Sequence, residues 1–484
     1  MKTSRRGIGA SNAFGWSLLN TAASRFATLG IGILLARVLG PESFGTFAVA
    51  LVALMAVLSF NELGVSLAIV RWPGDPARIA PTINTISVAG SAVFCVGAVL
   101  VAPHFTAAMG DPGATDVVRV LVLSVFINGV VASPAALLQR RFQEKRRLAI
   151  DQVNVWVGAL LSVLLALAGM GAMALAIGRV AGSLISALMF LAASPLPYRL
   201  GMDRTHVGHL LRFGLPLAGT SIIFFAIGYA DQLTAGAILG STALGFYALA
   251  FNLANWPVSM ASQPLRRVAP AALSALQHDT AKMNAAMVSI VTVLASAALP
   301  LVFFLAGCAV PAVGFVYGSA WLPAAAALSW LVVAATAKVF CDLFYDYLVV
   351  RGKTGTVLII QAGGLLVLLP ALIVGTSWYG IAGLGAAQAA VTAALVFPLY
   401  ISQLRKCGLQ TKDLLAGVWS PLAAGSVVGL IAWAAATLIP NHFLALTASG
   451  SCAVVVSAYL LFQRRGQLQL LRSIGRPAPE VISA

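Results

Sequence analysis

Seven ionisable side chains stand inside stretches of sequence that are otherwise apolar: Arg25, Glu62, Arg179, Asp231, Lys338, Asp342 and Asp346. A charge at bilayer depth costs about 2.5–3.5 kcal/mol on insertion scales, so such groups face a partner, water or the interior of a helix bundle. The cations suit an anionic ligand. Arg25, with the amide Asn20 five residues before it, Arg179 beside Gly178 and Gly182, and Lys338 are the candidates to line a substrate cavity. The carboxylates suit a proton or a cation, which makes Glu62, Asp231, Asp342 and Asp346 the candidates for coupling or gating. Packing alternatives stand beside each. Arg25 and Glu62 can form an ion pair, Arg179 can be a buried or snorkelling structural arginine, and Asp231 can be a structural partner. Lys338, Asp342 and Asp346 recur every four residues on one helical face, so Lys338 and Asp342 can pair within their own helix.

Enzyme chemistry finds little purchase. His104, His206, His209, His278 and His442 fall outside or at the ends of the apolar runs, and no Ser-His or paired-carboxylate arrangement stands out. No metal site is expected: Cys95, Cys308, Cys341, Cys407 and Cys452 have no C-x-x-C spacing and read as small buried hydrophobes. Gly380, Gly383 and Gly385 look superficially like a phosphate loop but suit close helix packing in a membrane.

The elements that must carry these charges are set by composition. Of 484 residues, 60% are hydrophobic and 9% charged, against roughly 25% charged in soluble domains. Spanning segments of about 20 apolar residues must be helical, because lipid offers backbone groups no other partner. The expected fold is all-α, a polytopic membrane protein with about fourteen transmembrane helices. The basic start and the apolar run over 13–38, interrupted by Arg25 and without a small-residue cleavage site, read as a retained first helix rather than a signal peptide.

The net charge of +16 would suggest nucleic acid in a soluble protein. Here 25 of the 30 Lys and Arg fall in alternate loops, as cytoplasmic loops of membrane proteins require. That places both termini in the cytoplasm and leaves no nucleic-acid role. The run Arg140–Arg147 is a cytoplasmic loop on this reading, with anionic membrane lipids as a secondary contact.

An internal repeat organises the chain. Leu34–Ala50, LLARVLGPESFGTFAVA, aligns without a gap on Thr234–Ala250, TAGAILGSTALGFYALA, matching Leu39–Gly40 with Leu239–Gly240 and Gly45 with Gly245. A weaker echo sets Gly171–Val180 against Gly380–Ala389, with Arg179 opposite Gln388. Six helices separate the copies, so they share an orientation, as parallel repeats do. The expected organisation is a cytoplasmic N-terminus (1–12), a six-helix lobe (13–193), a cytoplasmic loop (194–209), a second six-helix lobe (210–403), two further helices (416–462) and a cytoplasmic tail (463–484). Paired lobes of this kind suit alternating access with substrate held between them.

The run Leu35–Ala50, with Glu62-Leu63-Gly64 and Ala68-Ile69-Val70, resembles the opening of the polysaccharide flippase family. Phe213-Gly214-Leu215-Pro216, Tyr229-Ala230-Asp231, Leu244-Gly245-Phe246-Tyr247, Pro257 and Arg267–Ser274 are similar to its second half. The resemblance covers most of residues 8–410 and implies membership of the multidrug, oligosaccharidyl-lipid and polysaccharide exporter superfamily. It implies a flippase carrying a polyprenyl-diphosphate-linked oligosaccharide, a polysaccharide repeat unit, to the outer leaflet of a bacterial inner membrane. No cofactor follows from it; a proton or sodium gradient or the membrane potential is the expected drive. Polysaccharide synthesis and polymerase proteins are the expected partners. In related flippases for the peptidoglycan lipid precursor, a Ser-Arg pair in the first helix belongs to a cationic cavity, and Ser24-Arg25 stands similarly before the following turn.

Two other functions remain open on the residues alone. A drug or cation antiporter of the same superfamily favours an acidic, aromatic pocket, against which Arg25, Arg179 and Lys338 argue. A membrane polysaccharide polymerase favours a large outer loop, and the outer loops here are short.

Overall fold

The computed structural model describes residues 6–61, 65–72, 74–277 and 279–467; side chains are placed for most of these, 6–29 and 257–272 being the main stretches outside. All regular structure among the described residues is helical. The chain divides into two compact units, Met1–Tyr229 and Ala230–Ala484, with the boundary in sequence inside one helix.

The first unit holds α1 (Arg6–Asn61), α2 (Val65–Arg71), α3 (Pro76–Ala108), α4 (Thr115–Arg140), α5 (Glu144–Leu167), α6 (Ala172–Ala193) and most of α7 (Arg204–Leu239). α1 is two helices joined at Gly40, whose φ of 72° and ψ of 173° end the first while Pro41 opens the second. This is the usual division of labour, a left-handed glycine past one helix end and a proline in the first turn of the next. α3 starts on Asp75, whose Oδ1 accepts from the Ala77 amide at 2.9 Å, with Pro76 behind it. A core of Leu54, Val118, Leu121, Val122 and Ala176 binds α1, α4 and α6.

Arg140, which the charge pattern assigns only to a cytoplasmic loop, closes the turn between α2 and α3. Its Nη1 donates to the Ile69 and Trp72 carbonyls at 2.6 and 2.7 Å, and Nη2 to the Gly74 carbonyl at 3.1 Å. Three carbonyls that no helix bonds are thus satisfied by one planar fork.

The second unit holds the end of α7, then α8 (Ser241–Ala275), α9 (Thr280–Gly307), α10 (Ala309–Val316), α11 (Ala324–Val350), α12 (Thr354–Val391), a π-helical turn at Thr392–Val396, α13 (Phe397–Lys406), α14 (Thr411–Leu438) and α15 (His442–Gln463). α9 is central: α8, α11, α14 and α15 all pack on it. Small residues permit the closest of these approaches, for a Cβ on Gly417 would stand 2.1 Å from Thr292 Oγ1 and one on Gly425 3.2 Å from Leu299 backbone. The two helices outside the repeat are therefore built into the second unit.

The repeat recurs in the backbone. Gly240, 200 residues after Gly40, has φ 83° and ψ 178°. Phe142 and Gly352, both with positive φ, turn the chain from α4 to α5 and from α11 to α12. Gly171 (φ 55°, ψ −138°) and Gly380 (φ 58°, ψ −139°) repeat the next corner. The offset grows from 200 to about 210 because the second unit inserts the short α10 between α9 and α11, where the first has only a 3-10 turn at Pro112–Ala114.

Eleven runs among the described residues are long and apolar enough to cross a membrane, against about fourteen expected. Two of them, Gly30–Ser59 and Thr354–Lys406, are each interrupted by one of these left-handed glycines. The chain is a multi-pass membrane protein.

Candidate functional site

The first unit contains a cavity of about 400 Å³ whose wall comes from α1, α4, α5 and α6. Ile31, Leu35, Phe47 and Leu175 give it an apolar side; Ser124, Asn128, Asn154, Ser162, Ser183 and Arg179 give it a polar one. Arg179 is the charge in this wall, and it has no hydrogen-bonded or ion-paired partner among the described residues. Its position follows from α5 and α6 packing backbone to backbone. A Cβ on Gly178 would lie 2.6 Å from the Gly158 carbonyl, and one on Gly182 2.5 Å from the Asn154 carbonyl. Glycine at both points draws the helices together beside the cavity.

At the repeat-equivalent place in the second unit the described residues form a hydrogen-bonded cluster. Ile31 and Gly32 correspond to Asp231 and Gln232, Phe47 to Tyr247, and Arg179 to Gln388. Asp231 is 4% exposed and Tyr247 fully buried. Tyr247 Oη lies 2.7 Å from Asp231 Oδ2 and 3.0 Å from Gln388 Oε1, while Asp231 Oδ1 accepts from the Gln232 amide at 2.8 Å.

A phenol has one proton, so the trio has two arrangements. With Asp231 ionised, Tyr247 donates to it and Gln388 must turn its NH2 toward the phenol. With Asp231 protonated, the carboxyl donates to Tyr247, which donates to Gln388 Oε1. The arrangements differ by one proton and one amide rotation. Lys338, exposed on α11, is within Coulombic range of Asp231.

The sequence candidates thus separate. Arg179 reaches the cavity of the first unit, and Asp231 with Lys338 gathers in the second. Asp342 and Asp346 are half-buried further along α11, Asp342 within electrostatic range of Tyr400. Arg25 and Asn20 lie on the first half of α1 with side chains outside the described residues, and Glu62 is outside them altogether. Sequence reasoning passed over Asn128, Asn154, Ser124, Ser162 and Ser183, which are uncharged; the two asparagines in apolar runs were the available signal.

Two helical units repeating the same corners, one holding a polar cavity and the other a buried Asp-Tyr-Gln trio, make a polytopic membrane protein. The family described as polysaccharide biosynthesis protein matches residues 34–326. The succinoglycan biosynthesis transport protein ExoT of Rhizobium meliloti (strain 1021) is 24% identical over 69% of this chain and 68% of its own length. The lipopolysaccharide biosynthesis protein WzxC of Escherichia coli (strain K12) is 22% identical over 76% of this chain and 75% of its own. The fold is shared with a structure of the lipid II flippase MurJ in an inward closed conformation, at TM-score 0.73 and 14% identity over 92% of this chain and 99% of that one. It is also shared with an inward-facing multidrug resistance MATE family transporter, at TM-score 0.60 and 17% identity over 78% and 93%. The chain belongs to the polysaccharide biosynthesis protein family and is a transporter rather than an enzyme.

Proposed function

We propose that this protein carries a polyprenyl-diphosphate-linked oligosaccharide across the bacterial inner membrane by alternating access, with both termini cytoplasmic. The observation that carries the reading is Arg179, a guanidinium in the wall of a polar cavity of the first unit with no ion-pair partner among the described residues. Moving an isolated ion into hydrocarbon costs tens of kcal/mol in the Born limit, so a sugar diphosphate needs a wet, cationic path while its tail stays in lipid. Arg179, with Arg25 on the same reading, offers that path, and the serine and asparagine side chains beside Arg179 suit sugar hydroxyls. The names of the two curated relatives, one for succinoglycan and one for lipopolysaccharide, support a glycan cargo.

Asp231 is the coupling residue on this reading. Its trio can exist in two hydrogen-bond states, and a proton gradient or the membrane potential biases them; one charge moved through 100 mV gains about 2.3 kcal/mol. Glu62, Asp342 and Asp346 are further acidic candidates. Polysaccharide synthesis and polymerase proteins are the proposed partners at the membrane.

The test is translocation in proteoliposomes holding a lipid-diphosphate oligosaccharide, scored by access of an externally added sugar-modifying enzyme. Wild type moves the headgroup, Arg179→Ala moves it at least tenfold more slowly, and Arg179→Lys retains part of the rate. A wild type that leaves this lipid in place and exports a cationic dye along an ion gradient would instead be a drug antiporter.

A further inference from the structure

A second cavity lies wholly within the second unit, between α9, α11, α13 and α14. It has a volume of about 650 Å³, and its wall is almost entirely apolar, with Phe303, Phe340, Phe344, Phe397 and Val418 among the residues. One end is different. Arg405 and Thr411 close the slot there, and a shallower polar recess continues past them to Lys412. Arg405 Nε donates to Thr411 Oγ1, which holds the guanidinium at the mouth.

The slot is open along one side: Leu415, on its rim, is 62% exposed. From Val291 to Phe303 on α9 it follows the helix for about 18 Å at 1.5 Å per residue. Half of a hydrocarbon core about 30 Å thick is close to that length. The π-helical turn at Thr392–Val396, none of whose residues is buried, places Ala393 in the wall. Such turns often sit where a helix is adapted to a ligand. At the mouth three exposed cations, Arg405, Lys406 and Lys412, stand against one carboxylate, Asp413.

We propose that this groove is a binding site for an anionic phospholipid of one leaflet, an acyl chain lying in the slot and its phosphate held by Arg405 and Lys412. The length of the slot argues for a lipid confined to a single leaflet. The charge at its end argues for a net-negative headgroup over a zwitterionic one. On the proposed orientation this is the cytoplasmic leaflet, whose anionic lipids attract basic residues close to the membrane. The site is separate from the Arg179 cavity and from the Asp231 trio, and it makes the second unit a lipid-anchored body independent of what the first unit carries.

The experiment is native mass spectrometry of the full chain in detergent, offered phosphatidylglycerol and phosphatidylcholine at equal concentration. Wild type is expected to retain one phosphatidylglycerol with about tenfold preference. Arg405→Gln with Lys412→Gln is expected to bring the preference near unity, at roughly threefold per cation lost. Val418→Trp, which fills the slot, lowers retention of both lipids; Leu415→Gln on the rim does the same if the tryptophan variant does not fold. Equal retention of the two lipids by wild type, or unchanged preference in the double variant, overturns the proposal. So does a polyprenyl diphosphate that displaces the phospholipid one for one, which would give the slot to the substrate's tail. Translocation is not read in this experiment, so its failure leaves the proposed function standing.

Discussion

Arg179 and Gln388 each stand eight residues beyond a left-handed glycine, Gly171 and Gly380, whose backbone angles agree within a few degrees. Each also shares its site with a repeat-related aromatic, Phe47 in the cavity wall and Tyr247 in the trio. One position of a duplicated corner thus carries a cation facing open space, and the other an amide in a closed hydrogen-bond network. On the proposed function, this contrast gives anion binding to one unit and proton sensing to the other.

Replacing Gln388 tests that division. Gln388→Arg brings a guanidinium against Tyr247 and Asp231, and a nearby cation favours the ionised carboxylate. Asp231→Asn fixes the opposite, neutral state. Both variants are expected to fold and to lose the dependence of transport on an imposed pH gradient, measured in proteoliposomes with and without the gradient. A gradient response as large as that of wild type in both would remove Asp231 from coupling.

Tyr247→Phe takes a donor from a buried carboxylate and leaves it unsatisfied on that side. A penalty of about 1–3 kcal/mol is expected, read as a lower midpoint of thermal unfolding in detergent. Tyr247→Phe combined with Asp231→Leu should recover part of that loss, since no buried charge then lacks its bond.

At the α5–α6 contact, Gly182→Ala places a methyl 2.5 Å from the Asn154 carbonyl. Separating the helices to admit it costs about 1–3 kcal/mol and alters the Arg179 cavity, so both thermal stability and transport should fall. Gly97→Ala, where a Cβ meets nothing within 4 Å, is the control and should be neutral or stabilising.

Arg140→Ala unbinds three carbonyls at the α2–α3 turn. Hydrogen bonds to a charged group are worth about 1.5–3 kcal/mol each at most, and exposure of the turn reduces the sum. A loss of about 2 kcal/mol is expected in unfolding, with Arg140→Lys giving little rescue because an ammonium cannot span the fork. If Arg140→Lys is as stable as wild type, charge alone explains the residue.

The corners were legible in the sequence because a left-handed turn restricts residue type: Leu39-Gly40 and Leu239-Gly240 announce themselves as letters. Arg179 and Asp231 were legible for a related reason, since a charge in an apolar run has a large transfer penalty and needs an explanation. The Tyr247–Asp231 bond was not legible, because it depends on the rotation of two helices about their axes, which hydropathy does not fix. Asn154 and Ser162 were missed because an uncharged polar side chain can bond its own helix, as Ser162 Oγ does to the Gly158 carbonyl at 2.7 Å. The partners of Arg140 were not legible, since counting loop charges says nothing about which carbonyls a particular guanidinium meets. The short α10 was invisible as an insertion until equivalent corners could be paired in space.

The π-helical turn at Thr392–Val396 also fixes phase. It contains one residue more than an α-helical turn, and each residue advances an α-helix by about 100°. Tyr400 and Leu404, both fully buried, reach the core of the second unit only with that extra advance. Deleting a single residue there would keep the segment helical and equally apolar, yet swing this buried stripe out toward lipid and carry Arg405 away from the groove. The chain after Val396 is therefore indexed like a toothed wheel, and geometry constrains the length of this turn more tightly than the identity of any residue in it.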